Sequence, residues 1–234
     1  MNRNLRAPAA SLLAICLLAT GPAFAAGSQS SGATGANAAA EDQTDAQQLV
    51  NEAVGVVKQM EQDPQLKQAM AKAKGVYILP DFGRGALGIG GRGGTGVMLS
   101  HQDGAWTGPL FFDMGGISVG AQAGASAGSV AFLLMTDEAV NEFKSDNQFS
   151  LNADAGFTIV DYSANAQASW GKGDIILWSD TEGAYAGAAI SVTDINRDDD
   201  NNRTYYDREV DPAQVLNGEV TNPDAEPLKD ALPA

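Results

Sequence analysis

Nine glycines fall between Lys74 and Leu99, in the stretch KGVYILPDFGRGALGIGGRGGTGVML. A helix does not tolerate that density, because each glycine in a helix interior costs about 1 kcal/mol relative to alanine. Within the stretch, Gly88-Ile89-Gly90-Gly91-Arg92-Gly93 has the G-x-G-x-x-G spelling of a dinucleotide phosphate cradle. Such a cradle needs a strand before the glycines and a helix that opens within them, so that the pyrophosphate sits on a helix N-terminus. Here the glycines run into TGVMLSHQDGAW, which reads as strand and turn, and no G-x-x-x-x-G-K-[ST] occurs in the chain. The glycines are therefore expected to serve bends and close backbone approach within a sheet.

The elements around them fall into two regimes. From Asp45 to Met60, apolar residues recur at Leu49, Val50, Ala53, Val54, Val57 and Met60, one face of an amphipathic helix. Asp63-Pro64 reads as an N-cap followed by proline at the first helical position, opening a second helix over 64–73 that Gly75 ends. Then the period becomes two. Val76–Leu79 is a short apolar strand, and 96–100 and 105–112 flank the hairpin turn HQDG. Strands are expected at 116–127 and 130–135, then again at 148–155, 157–169, 173–179 and 184–194. Thr136 caps a helix over 137–145, with Asp137 and Glu138 in its first turn. Asp211-Pro212 starts a short helix that stops near Gly218, and the tail 221–234, with three prolines, is expected to be irregular. Residues 114–136 carry no charge, but their first half is Gly, Ser, Ala and Gln, which reads as two strands rather than a membrane helix. The fold class is α+β: one domain of mostly antiparallel strands curled into a barrel or tight sandwich, with the N-terminal helices and one mid-chain helix on its outside or ends.

Ahead of that domain, Arg3 and Arg6 precede an uncharged apolar run, Ala9–Thr20, and then Ala23-Phe24-Ala25. This is the pattern of a signal peptide over 1–25, cleaved after Ala25, and it implies export to a periplasm. The single cysteine, Cys16, lies inside the run and follows Ile15, which disfavours lipidation. Residues 26–44 read as a disordered spacer. The net charge is −15, and loss of Arg3 and Arg6 takes it to −17. A general nucleic-acid binder carries the opposite sign.

Little in the chain points to catalysis. His101, the sole histidine, sits beside a turn with no cysteine to join it in a zinc site, and no G-x-S-x-G nucleophile elbow occurs. It reads as an exposed turn residue. In DDDNNRTYYDRE, Asp198, Asp200, Asn202 and Glu209 fall at calcium-loop positions 1, 3, 5 and 12, but Arg203 stands where position 6 requires glycine. A solvated acidic hairpin is the simpler reading. Basic residues cluster once, at Lys58, Lys67, Lys72, Lys74, Arg84 and Arg92, with Tyr77, Phe82 and Trp106 nearby in sequence, as in a modest anion-contacting patch. The plainer account is helix-surface lysines and core aromatics.

AKAKGVYILP, GGRGGTGVML, DGAWTGPLFF, ISVGAQAG, TDEAVNEF, SLNADAG, YAGAAISVTDI and NNRTYYD occur in this order, and together residues 45–220 resemble the SYLF domain family. The resemblance implies a non-catalytic phospholipid-binding module, here in a bacterial cell envelope, with no cofactor. The alternative class is an envelope structural or protein-interaction domain without a lipid ligand. Lipid contact would fall to Leu49, Val50, Val54 and Val57 on the helix and to Lys72, Lys74, Arg84 and Arg92. A phospholipid surface and an envelope protein are the expected partners; nucleic acid is not, and actin is not expected outside a cytoplasm. Asp207 stands where the family usually has glycine.

Overall fold

The computed structural model describes residues 33–83, 93–115, 128–162, 173–180 and 192–234. A long helix, α1 (Ala33–Met60), leads through a tight turn into α2 (Pro64–Lys72). The backbone is thus already helical from Ala33, within the stretch expected to be a disordered spacer. The Asp63 side chain accepts hydrogen bonds from the main-chain N–H groups of Gln65 (2.8 Å) and Leu66 (3.3 Å), and Pro64 opens the helix. The chain then turns into β1 (Gly75–Phe82), β2 (Gly93–Gln102) and β3 (Ala105–Gly115). Asp103 and Gly104, with φ of 51° and 78°, make the two-residue turn between β2 and β3. Such turns match the right-handed twist of the strands they join.

After β4 (Gly128–Leu134) comes α3 (Asp137–Ser145), capped by Thr136 as its sequence predicts: the hydroxyl accepts from the Ala139 N–H at 3.3 Å. β5 (Gln148–Leu151), β6 (Ile159–Asp161), β7 (Ile175–Ser179) and β8 (Val192–Arg197) complete one eight-stranded sheet of order β5-β8-β3-β2-β1-β4-β7-β6. All its pairings are antiparallel except β6 with β7. The sheet curls into a half-barrel. The strand expected at 116–127 lies outside the described residues, as do the outer parts of those expected at 157–169 and 184–194.

Each face of the sheet has its own core. Tyr77, Leu79, Met98, Leu110, Phe112 and Phe132 point to one face, covered by α3 and by α5 (Pro212–Leu216). Val76, Ile78, Val97, Leu99, Phe111 and Leu133 point to the other, covered by α1, α4 (Asp199–Tyr206) and α6 (Glu226–Ala231). Because both faces are buried, β1 reads as a continuous apolar run rather than an alternation. At the centre, Tyr77 stacks on Phe132 at 6.1 Å, lies 5.3 Å from Phe143, and donates its hydroxyl to the Phe112 carbonyl at 2.8 Å.

The glycines of β2 serve this packing. A Cβ on Gly96 would lie 2.6 Å from the Ile78 carbonyl oxygen and 2.7 Å from Tyr77 Cε2. At Gly94 it would lie 2.7 Å from the Asp81 carbonyl oxygen. Close backbone approach, not phosphate binding, is what these positions require. Gly85, Gly88, Gly90 and Gly91 lie outside the described residues.

Two segments depart from the expected structure. The tail does not stay irregular: Pro223–Ala225 forms a 3-10 turn that runs into α6. Leu228 and Leu232, four residues apart, are both buried against the face that α1 covers. And 199–206 is a helix, not an acidic hairpin. Asp198 caps it by accepting from the Asn201 N–H at 3.0 Å, and Asp207 closes it in the left-handed conformation at φ 53°. Aspartate is one of the few residues besides glycine that adopts this conformation readily.

Candidate functional site

The apolar stripe of α1 is turned inward. Val50 and Val57 are fully buried, with Ala46, Ala53 and Met60, while Leu49 and Val54 are half-buried against the same core. In this fold the stripe covers the sheet, so Leu49, Val50, Val54 and Val57 present no free apolar face to lipid or to a partner. Helical period alone sets which residues share a face. It does not say what that face meets.

The basic cluster is only partly assembled. Lys72 ends α2 and Lys74 enters β1 two residues later; both are exposed, and neither has an ion pair among the described residues. The Lys74 main chain is fixed between Leu134, whose carbonyl its N–H reaches at 2.7 Å, and His101, whose N–H it accepts at 2.8 Å. Arg84 and Arg92 lie outside the described residues. Lys67 is paired with Glu61 at 2.8 Å. Tyr77, Phe82 and Trp106 are core residues rather than interfacial aromatics.

His101 is not an exposed turn histidine. It is the next-to-last residue of β2, stacks on Trp106 with ring centres 4.5 Å apart, and places Nδ1 3.2 Å from the Ala73 carbonyl oxygen. Trp106 in turn donates Nε1–H to the Pro233 carbonyl at 2.8 Å, which fastens the end of the chain.

The calcium-loop positions are dispersed by helix α4. Asp198 is its cap, Asp200 pairs with Arg203, and Glu209 is exposed beyond its end. Asn202 is buried: its Oδ1 accepts from the Phe111 N–H at 3.0 Å, and its Nδ2 donates to the carbonyls of Phe111 (2.9 Å) and Asp198 (2.7 Å). A side chain committed to the sheet in this way cannot also ligate an ion. Among the described residues no three His, Cys, Asp or Glu side chains converge on a metal position.

One concave feature has no signature in the sequence. A shallow cleft of about 800 Å³ lies between the α1–α2 turn and the end of β7, lined by Gln59, Gln62, Asp63, Pro64, Trp178 and Asp180 among others. Its residues come from segments more than a hundred positions apart, so only the sheet order brings them together. No helix among the described residues is long and apolar enough to cross a membrane.

Comparison with known proteins places this architecture. Residues 115–234, from the end of β3 through α6, match the Ysc84 family, described as Las17-binding protein actin regulator. The chain belongs to this family, the SYLF family of its sequence resemblance. It is similar to Protein YSC84 of Saccharomyces cerevisiae, 28% identical over 166 residues, covering 68% of this chain and 35% of the relative. It is similar also to LAS seventeen-binding protein 3 of the same yeast, 28% identical over 162 residues, covering 67% and 35%. SH3 domain-containing YSC84-like protein 1 of Bos taurus is 25% identical over 168 residues, covering 70% and 49%. The chain thus spans between a third and a half of the length of these relatives. The family's description overturns the expectation that actin has no place among the partners of such a chain.

Proposed function

We propose that the chain is a non-catalytic protein-binding module of the Las17-binding, actin-regulator kind. The observation that supports this reading is the family match over residues 115–234, which takes in β4, α3, β8, α4 and the C-terminal helix. The test is co-sedimentation of the purified chain with filamentous actin. Saturable pelleting with filaments is expected, and a chain that stays in the supernatant at tens of micromolar filament rejects the reading.

A second reading, phospholipid contact, is favoured by Lys72 and Lys74, two exposed cations without ion-pair partners among the described residues. Each contributes about 1 kcal/mol near an anionic surface. The chain's net charge of −15 opposes approach. With the α1 stripe buried, binding by this route is weak and salt-sensitive. Flotation with mildly anionic vesicles, lost in Lys72→Glu/Lys74→Glu, tests it; flotation unchanged in that variant ends it. We further propose that the chain is exported and works in the periplasm or cell envelope, on the strength of the leader pattern over 1–25. An N-terminus beginning at Ala26 in protein isolated from cells is the expected result, and an intact Met1 removes the proposal.

A further inference from the structure

The cleft beside Trp178 carries a chemical preference. It is lined by the indole of Trp178, which is half-buried and packs against the α1-side core. Two carboxylates, Asp63 and Asp180, line the cleft with it. Asp180 is held rigidly at the end of β7: its Oδ1 accepts from the Ser129 N–H at 2.9 Å, and its own N–H donates to the Ser129 carbonyl at 3.2 Å. Asp63 is held by its capping bonds to α2. A hydrogen bond from Tyr162, ahead of these backbone bonds, holds its carboxyl below the usual range, so it stays ionised. The exposed amides of Gln59 and Gln62 also line it, and among the described residues no lysine or arginine does.

This set of groups rejects most ligand classes. A phosphate or carboxylate would meet two fixed negative charges with no cation to offset them. An acyl chain would bury charged and amide groups without partners. A divalent cation finds too few carboxylates here. A flat cation with several N–H donors suits the remaining groups, since it stacks on an indole face and donates to carboxylates and to amide oxygens at its edge.

We infer that the cleft seats an arginine side chain of a basic segment on a partner protein, stacked on Trp178 between the carboxylates of Asp63 and Asp180. This rests on the protein-binding reading above and names the chemistry of its partner. The chain's strong negative charge assists, because complementary charge speeds encounter and selects basic segments over acidic ones.

The experiment titrates the full chain with three synthetic peptides of alternating glycine with arginine, lysine or glutamate, read by calorimetry and tryptophan fluorescence. The arginine peptide is expected to bind and shift the fluorescence, the lysine peptide to bind several-fold more weakly, and the glutamate peptide not to bind. Asp63→Asn/Asp180→Asn keeps the helix cap and the acceptor for Ser129 while removing both charges. That double variant and Trp178→Phe should each weaken the arginine peptide about tenfold while still unfolding in one cooperative transition. Asp180→Asn alone serves if the double variant melts early. Unchanged affinity in folded variants overturns the inference, because the peptide is then held elsewhere on the acidic surface. Equal binding of the glutamate peptide overturns it too. Arginine-peptide binding with no filament co-sedimentation supports the cleft and rejects the filament as the partner. Co-sedimentation without arginine-peptide binding leaves the protein-binding reading standing and rejects the cleft.

Discussion

Asn202 is one of two buried polar side chains in the described core, the other being Ser100. Its amide pairs with both main-chain groups of Phe111, the residue next to Phe112, where the ladder between β3 and β8 ends at Arg197. A side chain thus continues the strand pairing for one residue and anchors α4 to the sheet. Asn202→Ala leaves the buried Phe111 N–H without a partner, at a cost of about 1–3 kcal/mol, while the Phe111 carbonyl keeps the Asp198 N–H at 3.1 Å. The variant is expected to lose about 2 kcal/mol in urea unfolding, with no change in the slope of the transition. Asn202→Asp should fare no better, since a carboxylate cannot donate to the carbonyls of Phe111 and Asp198. Nothing in DDDNNRTYYDRE distinguishes Asn202 from its solvated neighbours. The role of Gly96, by contrast, is legible, because glycine is the residue that lets neighbouring strands approach this closely.

Helix α6 occupies a place that its sequence disguises. Its three flanking prolines argue for irregular chain, yet Pro223 and Pro227 both fall in first-turn positions, where the missing N–H is no loss. The helix is clamped at both ends. Asn222 Nδ2 donates to the Tyr205 carbonyl at 2.7 Å, and Trp106 holds the Pro233 carbonyl. Between the clamps Leu228 fills the space beside α1 and is fully buried. Leu228→Ala is expected to cost about 2–5 kcal/mol, the usual range for a buried leucine. Loss of less than 1 kcal/mol in chemical unfolding would show that the tail is a loosely held appendage. The same core explains why α1 exposes no apolar stripe: α6, α4 and the sheet already surround it.

Over the whole molecule, acidity sets the response to pH. Asp113, Glu142 and Asp161 keep their protons to higher pH than free carboxyls do, in each case chiefly because burial penalises the charged form. The Thr95 hydroxyl, 2.6 Å from Asp113, offsets part of that effect, and the nearby Asp198 charge adds to it. A raised folded-state pKa means that the folded chain binds more protons than the unfolded chain from the ordinary carboxylate range upward. Stability therefore falls as pH rises through that window. Asp63 acts oppositely: its lowered pKa contributes stability that is lost only as pH falls through its folded value. Self-repulsion at net charge −15 adds to the decline toward neutral pH. The melting temperature at pH 5 is expected to exceed that at pH 8. Half-molar salt should narrow the gap without closing it, because salt screens exposed charges and leaves burial unchanged. A melting temperature that climbs steadily from pH 5 to pH 8 would contradict this.

The sequence by itself determined what short-range stereochemistry controls. Asp63-Pro64 and Thr136 announce their helix starts, Asp103-Gly104 its hairpin, and the apolar period of α1 its helix, because each signal acts within four residues of itself. It also determined the family and the class of fold, since ordered motifs and a switch of period from 3.6 to two survive without coordinates. Tertiary structure alone decided the rest. Whether the α1 stripe meets lipid, a partner or its own sheet depends on elements 150 residues away. So does the burial of Asn202, the seating of α6, and the meeting of Asp63 with Trp178 and Asp180. These arise from strand order, and strand order is a property of long-range packing that no local pattern encodes.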